Sequence, residues 1–353
     1  MEPVCVYHDP QEFAAWPANA GLWQWGDEIL VCYHVGKYRE DPTGHSIDRT
    51  QPIRSQLSRS RDGGRTWAAE PSEAFDARLQ QPAIALPGHG IDFSHPGFAL
   101  KIGRGAVDIR NDRFVVSYDR GTTWEGPYAL PPALGYCTAR TDYLVNGERS
   151  CLLFLSERAD EFPMDRAYAA RTDDGGHTWS RVGYMTADPA RSVMPATVRR
   201  QDRMLVSALR RRVAGPAETS AGDPQSPYDH VNWIEVRFSA DEGRTWEFAA
   251  VAAETEGPAG DRNGNPPALG VLPDGRLVLA YGYRGEEPSM QGRCSADGGY
   301  SWSEPVLLRE GAREADIGYP RLAVRPDGAV VVVYYFTTEA RPEQHIEALI
   351  WRP

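Results

Sequence analysis

One eight-residue pattern recurs five times along this chain and constrains it more than any other feature. It runs Ser or Thr, any residue, Asp, any residue, Gly, any residue, Thr or Ser, Trp. The copies begin at Ser60, Ser117, Thr172, Ser239 and Ser295. Their aspartates, Asp62, Asp119, Asp174, Asp241 and Asp297, stand 57, 55, 67 and 56 residues apart. A near-constant interval of that size marks a repeat architecture. The residue types explain the local structure. Asp caps nearby backbone amides, Gly supplies a positive φ, and Thr or Ser adds a second short-range hydrogen bond. The Trp then buries its ring between neighbouring sheets. Each copy is therefore expected to be a rigid β-turn joining two strands, with a structural aspartate rather than a catalytic one.

This octapeptide is the Asp box, and through it the chain resembles the sialidase-like superfamily of propellers over essentially its whole length. An interval of about 57 residues fits one four-stranded blade. Six such blades account for most of the 353 residues, so the expectation is all-β: one six-bladed β-propeller spanning 1–353. Only five boxes exist, so one blade must be irregular. Residues 314 to 353 offer three strand-like runs and Val4 to Tyr7 a fourth, which would close the ring by joining both ends of the chain in one blade.

A second unit recurs between the boxes: two apolar runs around a tight turn. Examples are Pro267 to Tyr283, Pro320 to Phe336, Thr141 to Ser156 and Ala196 to Leu209. These are expected to be the inner hairpins, with turns on the lower face and open ends at the upper mouth. Inner-strand starts then place His95, Arg140, Met194, Asn265 and Tyr319 at the mouth. Strand ends add His34, Glu157, Arg210 and Arg284, and the preceding loops add Asp92 and Asp316. Blade two, from His95 to Asp119, is short and its second strand is not evident. Gathering Arg140, Arg210 and Arg284 at one mouth of an acidic chain would focus an anion there. Asp142, Glu157 or Asp316 could instead pair with them.

The resemblance sharpens these expectations. It implies a clamp of arginines for a carboxylate, a tyrosine nucleophile with a glutamate partner, and an acid–base aspartate; the tyrosine is a known exception among retaining glycosidases. Gly318-Tyr319-Pro320-Arg321-Leu322 resembles the segment carrying the nucleophile, and Arg210 and Arg284 resemble the second and third clamp arginines. Three positions depart from the pattern. Ala18-Asn19-Ala20-Gly21-Leu22-Trp23 stands where the first clamp arginine belongs. Met194-Pro195-Ala196 replaces the glutamate. Asp92 and His95 are the only stand-ins for the acid–base aspartate. An acidic or neutral sugar other than sialic acid suits this altered set better. Ala139-Arg140-Thr141-Asp142-Tyr143, Gly264-Asn265-Pro266-Pro267-Ala268 and Asp316-Ile317-Gly318-Tyr319-Pro320 also resemble a BNR-repeat branch of the superfamily.

The leading expectation is an exo-acting glycoside hydrolase for a terminal acidic sugar. Tyr319, Asp92, His95, Glu157 and Asp316 are the catalytic candidates. Arg140, Arg210, Arg284, Asn265, His34 and Asp142 are the candidates for substrate binding. A carboxylate pair, Asp92 or Asp316 with Glu157, is the mechanism without tyrosine. Two other classes remain open: a uronate lyase using His95 or His34 with Tyr319, and a carbohydrate-binding propeller without chemistry.

Composition narrows the partners. A net charge of −11 argues against nucleic acid, and no apolar run is long enough to span a membrane. The first ten residues lack a basic, then apolar, leader pattern, so a cytoplasmic location is expected. The five cysteines read as reduced thiols, none at a metal-ligand spacing. No nucleotide or phosphate fingerprint appears, and no cofactor or metal is expected, although His34, His45 and His95 could meet in space. The loop from Tyr38 to Gln51, which carries His45, could be a lid or a subunit contact. The oligomeric state is left open, a homo-oligomer included.

Overall fold

The computed structural model describes residues 1–41, 44–103, 112–135, 137, 140–158, 165–214, 230–255 and 264–353. Its strands form six small antiparallel sheets, arranged as the six blades of a propeller. Strand β1 (Val4–Tyr7) opens the chain. Blade one holds β2 (Glu12–Ala15), a one-turn helix α1 (Pro17–Ala20), β3 (Gly21–Trp25), β4 (Glu28–Lys37), β5 (Arg54–Ser60) and β6 (Ala68–Glu70), followed by helix α2 (Glu73–Gln80). Blade two has β7 (Ala99–Gly103), β8 (Arg113–Ser117) and β9 (Glu125–Ala129). Blade three has β10 (Tyr143–Gly147), β11 (Ser150–Glu157), β12 (Arg166–Thr172) and β13 (Ser180–Tyr184). Blade four has β14 (Arg191–Arg199), β15 (Leu205–Ala214), β16 (His230–Ser239) and β17 (Glu247–Glu254). Blade five has β18 (Ala268–Val271), β19 (Leu277–Tyr283), β20 (Ser289–Ser295) and β21 (Val306–Arg309). Blade six has β22 (Gly318–Val324), β23 (Val330–Thr338) and β24 (Arg341–Trp351).

The expected ring closure is present. β1 pairs antiparallel with β24, Val4 opposite Ala348 and Cys5 opposite Glu347. Blade six is thus completed by the start of the chain, and it is the blade without a box.

All five boxes join the last two strands of their blades, as the turns between strands that were expected. In the first, Ser60 Oγ accepts from the Gly64 amide at 2.8 Å, and Asp62 accepts from the Thr66 amide at 2.9 Å and its hydroxyl at 2.6 Å. Asp174 accepts from the Thr178 amide at 2.9 Å and hydroxyl at 2.6 Å in the third. Gly64 has φ 87°, and a Cβ there would meet Val331 of blade six at 2.6 Å. The turn can be only glycine because two blades close on it.

The core is divided in the same rhythm. Six buried apolar clusters each lie between successive blades, from the pair six and one through to the pair five and six. Trp67, Trp124, Trp179, Trp246 and Trp302, the box tryptophans, pack against five of these clusters. A blade cannot bury both faces alone; its neighbours supply the second.

Blade two departs from the expected count. β7 and β8 carry the box on their far side, so they correspond to the second and third strands of other blades. Among the described residues blade two has no innermost strand. The segment before β7 instead lies against the boxes: the Ile91 amide donates to Gly175, the Phe93 amide to Glu148 and the Arg120 amide to Gly97. Those partners belong to the lower face.

Candidate functional site

The mouth is shaped by prolines. A proline in an inner strand removes a ladder donor and forces a bulge. The pairing of β14 with β15 breaks between Val193 and Ala196, at Met194-Pro195. That of β22 with β23 breaks between Gly318 and Arg321, at Tyr319-Pro320. Trp16-Pro17 separates β2 from β3. The residue before each proline is left-handed, with φ 63° at Trp16, 57° at Met194 and 47° at Tyr319. This conformation is costly for large side chains, and more so before proline. Three blades holding the same outlier at the same position marks a constrained site.

Tyr319 is the centre of that site. Its amide donates to Asn265 Oδ1 at 2.9 Å, while Asn265 Nδ2 donates to Ile317 O at 2.9 Å. Asn265 is fully buried and clamps the strained turn. The Tyr319 hydroxyl accepts from Arg210 Nη1 at 3.2 Å. The Arg284 guanidinium lies 5.6 Å from the centre of its ring. Arg284 also donates to Ile317 O at 2.8 Å and to the Tyr335 hydroxyl at 2.9 Å, and it stands 3.7 Å from Asp316. Asp316 in turn accepts from the Tyr335 hydroxyl at 2.5 Å, His45 Nδ1 at 2.8 Å and Gln344 Nε2 at 3.3 Å.

The electrostatics separate two adjacent tyrosines. Burial alone would raise the Tyr319 phenol, but Arg210, then Arg284 and more distantly Arg191, bring it below its ordinary value. Burial and the Asp316 carboxylate push Tyr335, whose ring centre is 5.9 Å away, well above it. Burial drags Arg210 down to about 10. A guanidinium keeps its proton in proteins, so in this pair it is the phenol that yields. Asp316 is held below the ordinary carboxylate range: burial opposes this, and the His45 bond, Arg284 and Tyr335 outweigh it.

Tyr319, Asp316, Arg210, Arg284 and Asn265 therefore come together as the sequence suggested. His34 lies at their edge, its ring 6.2 Å from that of Trp16. The other candidates go elsewhere. Arg140 is buried and spent on backbone: it donates to Pro267 O at 2.8 Å and Met194 O at 3.4 Å. Asp142 sits beside it, accepting from the Thr197 amide at 3.1 Å and 3.8 Å from Arg321. Glu157 turns away from the axis and is taken up by Arg181 at 2.6 Å and the Tyr184 hydroxyl. Asp92 and His95 lie on the box face; the His95 ring packs edge-on against Tyr118 of the second box at 5.3 Å. Their misplacement follows from the missing inner strand of blade two, which shifted the strand count by one. A recess of ≈ 350 Å³ on that lower face, lined by Pro273, Asp274, Arg276, Pro326, Asp327 and Arg352, is equally remote from Tyr319.

Four participants escaped the sequence reading of the mouth: Trp16, Tyr335, Arg191 and, as a partner of Asp316, His45. A signal for Trp16 existed. Trp16-Pro17, Met194-Pro195, Asn265-Pro266 and Tyr319-Pro320 are the same dipeptide step in four blades.

Six antiparallel blades with boxes on one face make this a sialidase-like propeller in fold. The chain belongs to the BNR repeat-like domain family, whose profile matches residues 99–332. No curated protein sequence matches the chain. Among solved structures, a protein of unknown function from Dyadobacter fermentans is similar at 20% identity, with a TM-score of 0.70 over 99% of this chain and 97% of its own. The GH93 α-L-arabinofuranosidase of Fusarium graminearum, solved with arabinobiose, is similar at 18% identity and a TM-score of 0.61, over 99% and 95% of the two chains. The NanB sialidase of Streptococcus pneumoniae is similar at 12% identity and a TM-score of 0.58, over 99% and 70%. At these identities the likeness establishes the fold, on which glycosidases are found.

Proposed function

We propose that this protein is a glycoside hydrolase that removes a terminal acidic sugar at the propeller mouth. Tyr319 is the nucleophile, and Arg210 with Arg284 receives the sugar carboxylate. The observation that carries this reading is the placement of two neighbouring tyrosines: the Tyr319 hydroxyl accepts from Arg210 at 3.2 Å with Arg284 5.6 Å from its ring, while the Tyr335 hydroxyl bonds Asp316. Opposed shifts in adjacent titratable groups mark a division of chemical labour. Tyr335 stays a neutral donor to Asp316. Tyr319 is biased towards the phenolate, the form that can attack an anomeric carbon.

The acidic substrate follows from charge. Arg210 and Arg284 are buried, and Asp316 stands 3.7 Å from Arg284. A carboxylate is the ligand group that a pair of arginine side chains recognises through charge-assisted hydrogen bonds. One contact at the mouth supports exo action. His45, from the segment between β4 and β5, bonds Asp316 ahead of blade six at 2.8 Å, and a contact bridging two blades there suits a chain end better than a chain passing through.

The test is turnover of aryl glycosides of glucuronic acid, N-acetylneuraminic acid and neutral sugars by the wild type and by Tyr319→Phe. The expected result is hydrolysis of an acidic glycoside and a loss of at least ~10³-fold in kcat for the variant. Full activity in Tyr319→Phe would remove the nucleophile. Release of an unsaturated uronide, seen by its ultraviolet absorbance, would replace hydrolysis by elimination.

A further inference from the structure

Tyr319 has an arginine and no carboxylate on its hydroxyl among the described residues, so the proton transfers of a hydrolysis need another group. We propose that His45 is that group, acting as acid and then base, with Asp316 as its positioning residue. The inference rests on the glycosidase reading above and supplies the proton carrier of that site.

The geometry is that of an imidazole oriented for proton transfer. Asp316 accepts from His45 Nδ1 at 2.8 Å. The carboxylate cannot swing, because Tyr335 holds the same oxygen at 2.5 Å and Gln344 holds the other at 3.3 Å. Its side chain is 9% exposed, against 30% for His45. A buried acceptor thus fixes the tautomer of a ring that still reaches solvent. Among the described residues His45 Nε2 has no hydrogen-bond partner. Trp16 meets the imidazole edge-on at 4.9 Å and Phe13 at 6.2 Å, which fixes its plane. The same cluster holds Phe13, Tyr319 and Tyr335, with Trp16 packed against it.

Among the described residues the charged neighbours are engaged with one another or with polar side chains. Arg39 faces Asp48 at 3.7 Å on the loop itself, which also carries Asp41. On the approach to blade six, Arg313 pairs with Glu40 at 2.5 Å, and Glu314 accepts from Gln344 at 2.6 Å. Arg284 reaches the dyad only through Asp316 and Tyr335. His34 lies beyond Trp16.

The steps balance. The Tyr319 phenolate oxygen bonds to the anomeric carbon as the glycosidic bond breaks, and His45, starting as the imidazolium with Nδ1–H on Asp316, passes its Nε2 proton to the leaving oxygen and becomes neutral. Water then attacks the same carbon, gives its proton to Nε2, and the bond to Tyr319 breaks. One water is consumed, and tyrosine and histidine return to their starting states.

The experiment compares His45→Ala, His45→Gln and Asp316→Asn on the 2,4-dinitrophenyl and methyl glycosides of the acidic sugar that the wild type cleaves. A leaving group that needs no proton bypasses an acid. For both His45 variants, bond cleavage should fall about 10²–10⁴-fold with the methyl glycoside and less than about tenfold with the dinitrophenyl one. Azide, which attacks without a base, should restore turnover of the latter and give a glycosyl azide. Asp316→Asn should show the same leaving-group split at smaller size. Equal losses on both substrates by variants that melt like the wild type would overturn the dyad and leave Tyr319 standing. If the wild type cleaves no glycoside, or the split is absent while Tyr319→Phe is inert, the two outcomes separate failure of the glycosidase reading from failure of the dyad.

Discussion

At the level of single residues, the site is a small charge balance tipped by two guanidinium groups. Tyr319 is buried, and burial by itself opposes ionisation. Arg210 reverses that effect by direct contact and Arg284 by proximity. Replacing Arg210 with Met should therefore raise the Tyr319 pKa, because desolvation would act with less opposition. The check is an ultraviolet titration of tyrosinate, with Tyr319→Phe identifying the signal. An unchanged first ionisation in Arg210→Met would show that Arg210 does not govern the phenol. The same variant should raise KM for an acidic glycoside about 10²-fold relative to its uncharged amide, the scale of one lost charge-assisted hydrogen bond. Equal effects on acid and amide would remove Arg210 from the clamp.

At the level of elements, the box turn and the proline bulge do opposite things with the same backbone. The box ties its turn together from within, through bonds from its own Ser or Thr and Asp to amides of the same octapeptide. The bulge leaves a large residue left-handed and relies on neighbours such as Asn265 to hold it there. Asp174→Ala removes three local hydrogen bonds, from the Thr178 amide, the Thr178 hydroxyl and Thr172. About 1–2 kcal/mol of stability should go with them, by analogy with a lost helix cap. The effect carries a pH signature. The Thr178 and Thr172 bonds outweigh burial and hold Asp174 at about 2, below its ordinary 3.8. A carboxylate depressed on folding stabilises above its unfolded pKa and loses that contribution as pH falls. The difference in melting temperature between wild type and Asp174→Ala should be full near pH 6 and shrink between about pH 4 and pH 2. A constant difference across that window would mean the charge plays no part.

The sequence revealed these two kinds of element unequally. The boxes were legible because their defining bonds are local: the Ser or Thr at the start and the Asp bond amides and hydroxyls of the same octapeptide. Tyr319, Arg210, Arg284, Asn265 and Asp316 were legible because strand ends have fixed places in a blade. His45 was visible only as part of a loop, since its partner lies 271 positions away and nothing local encodes that meeting. Asp92 and His95 were misplaced because blade counting assumes four strands where blade two shows three. Arg140 was assigned to a ligand because a sequence cannot tell whether a buried guanidinium will meet a carboxylate or carbonyl oxygens of two other blades.

At the level of the whole molecule, the axis is braced by arginines rather than by apolar packing alone. Arg140 of blade three reaches carbonyls of Met194 and Pro267, next to blades four and five. Arg321 of blade six reaches Ala18 in blade one at 3.0 Å and Thr141 beside blade three. Asp142 stands between them, its carboxyl pushed up to about 6 by burial against the pull of both arginines. Arg321→Met would leave two carbonyls without their donor and Asp142 without one of its two cations. A loss of about 3 kcal/mol or more in denaturant unfolding is expected, the cost of breaking a buried ion pair on one side. A loss below about 1 kcal/mol, within the range of ordinary surface changes, would show that the ring does not depend on this tie.

The pairing of β1 with β24 has a practical corollary. Trp351 lies opposite Val330, at the end of the blade that carries the Asp327 turn, and Val4 lies beside Ala348. Both ends of the described chain therefore emerge on the side of the disc away from Tyr319. A linker at either end, to a bead, a sensor surface or a second protein, would anchor the disc face down and leave its mouth open to polymeric ligands too large to reach a mouth pressed against the support.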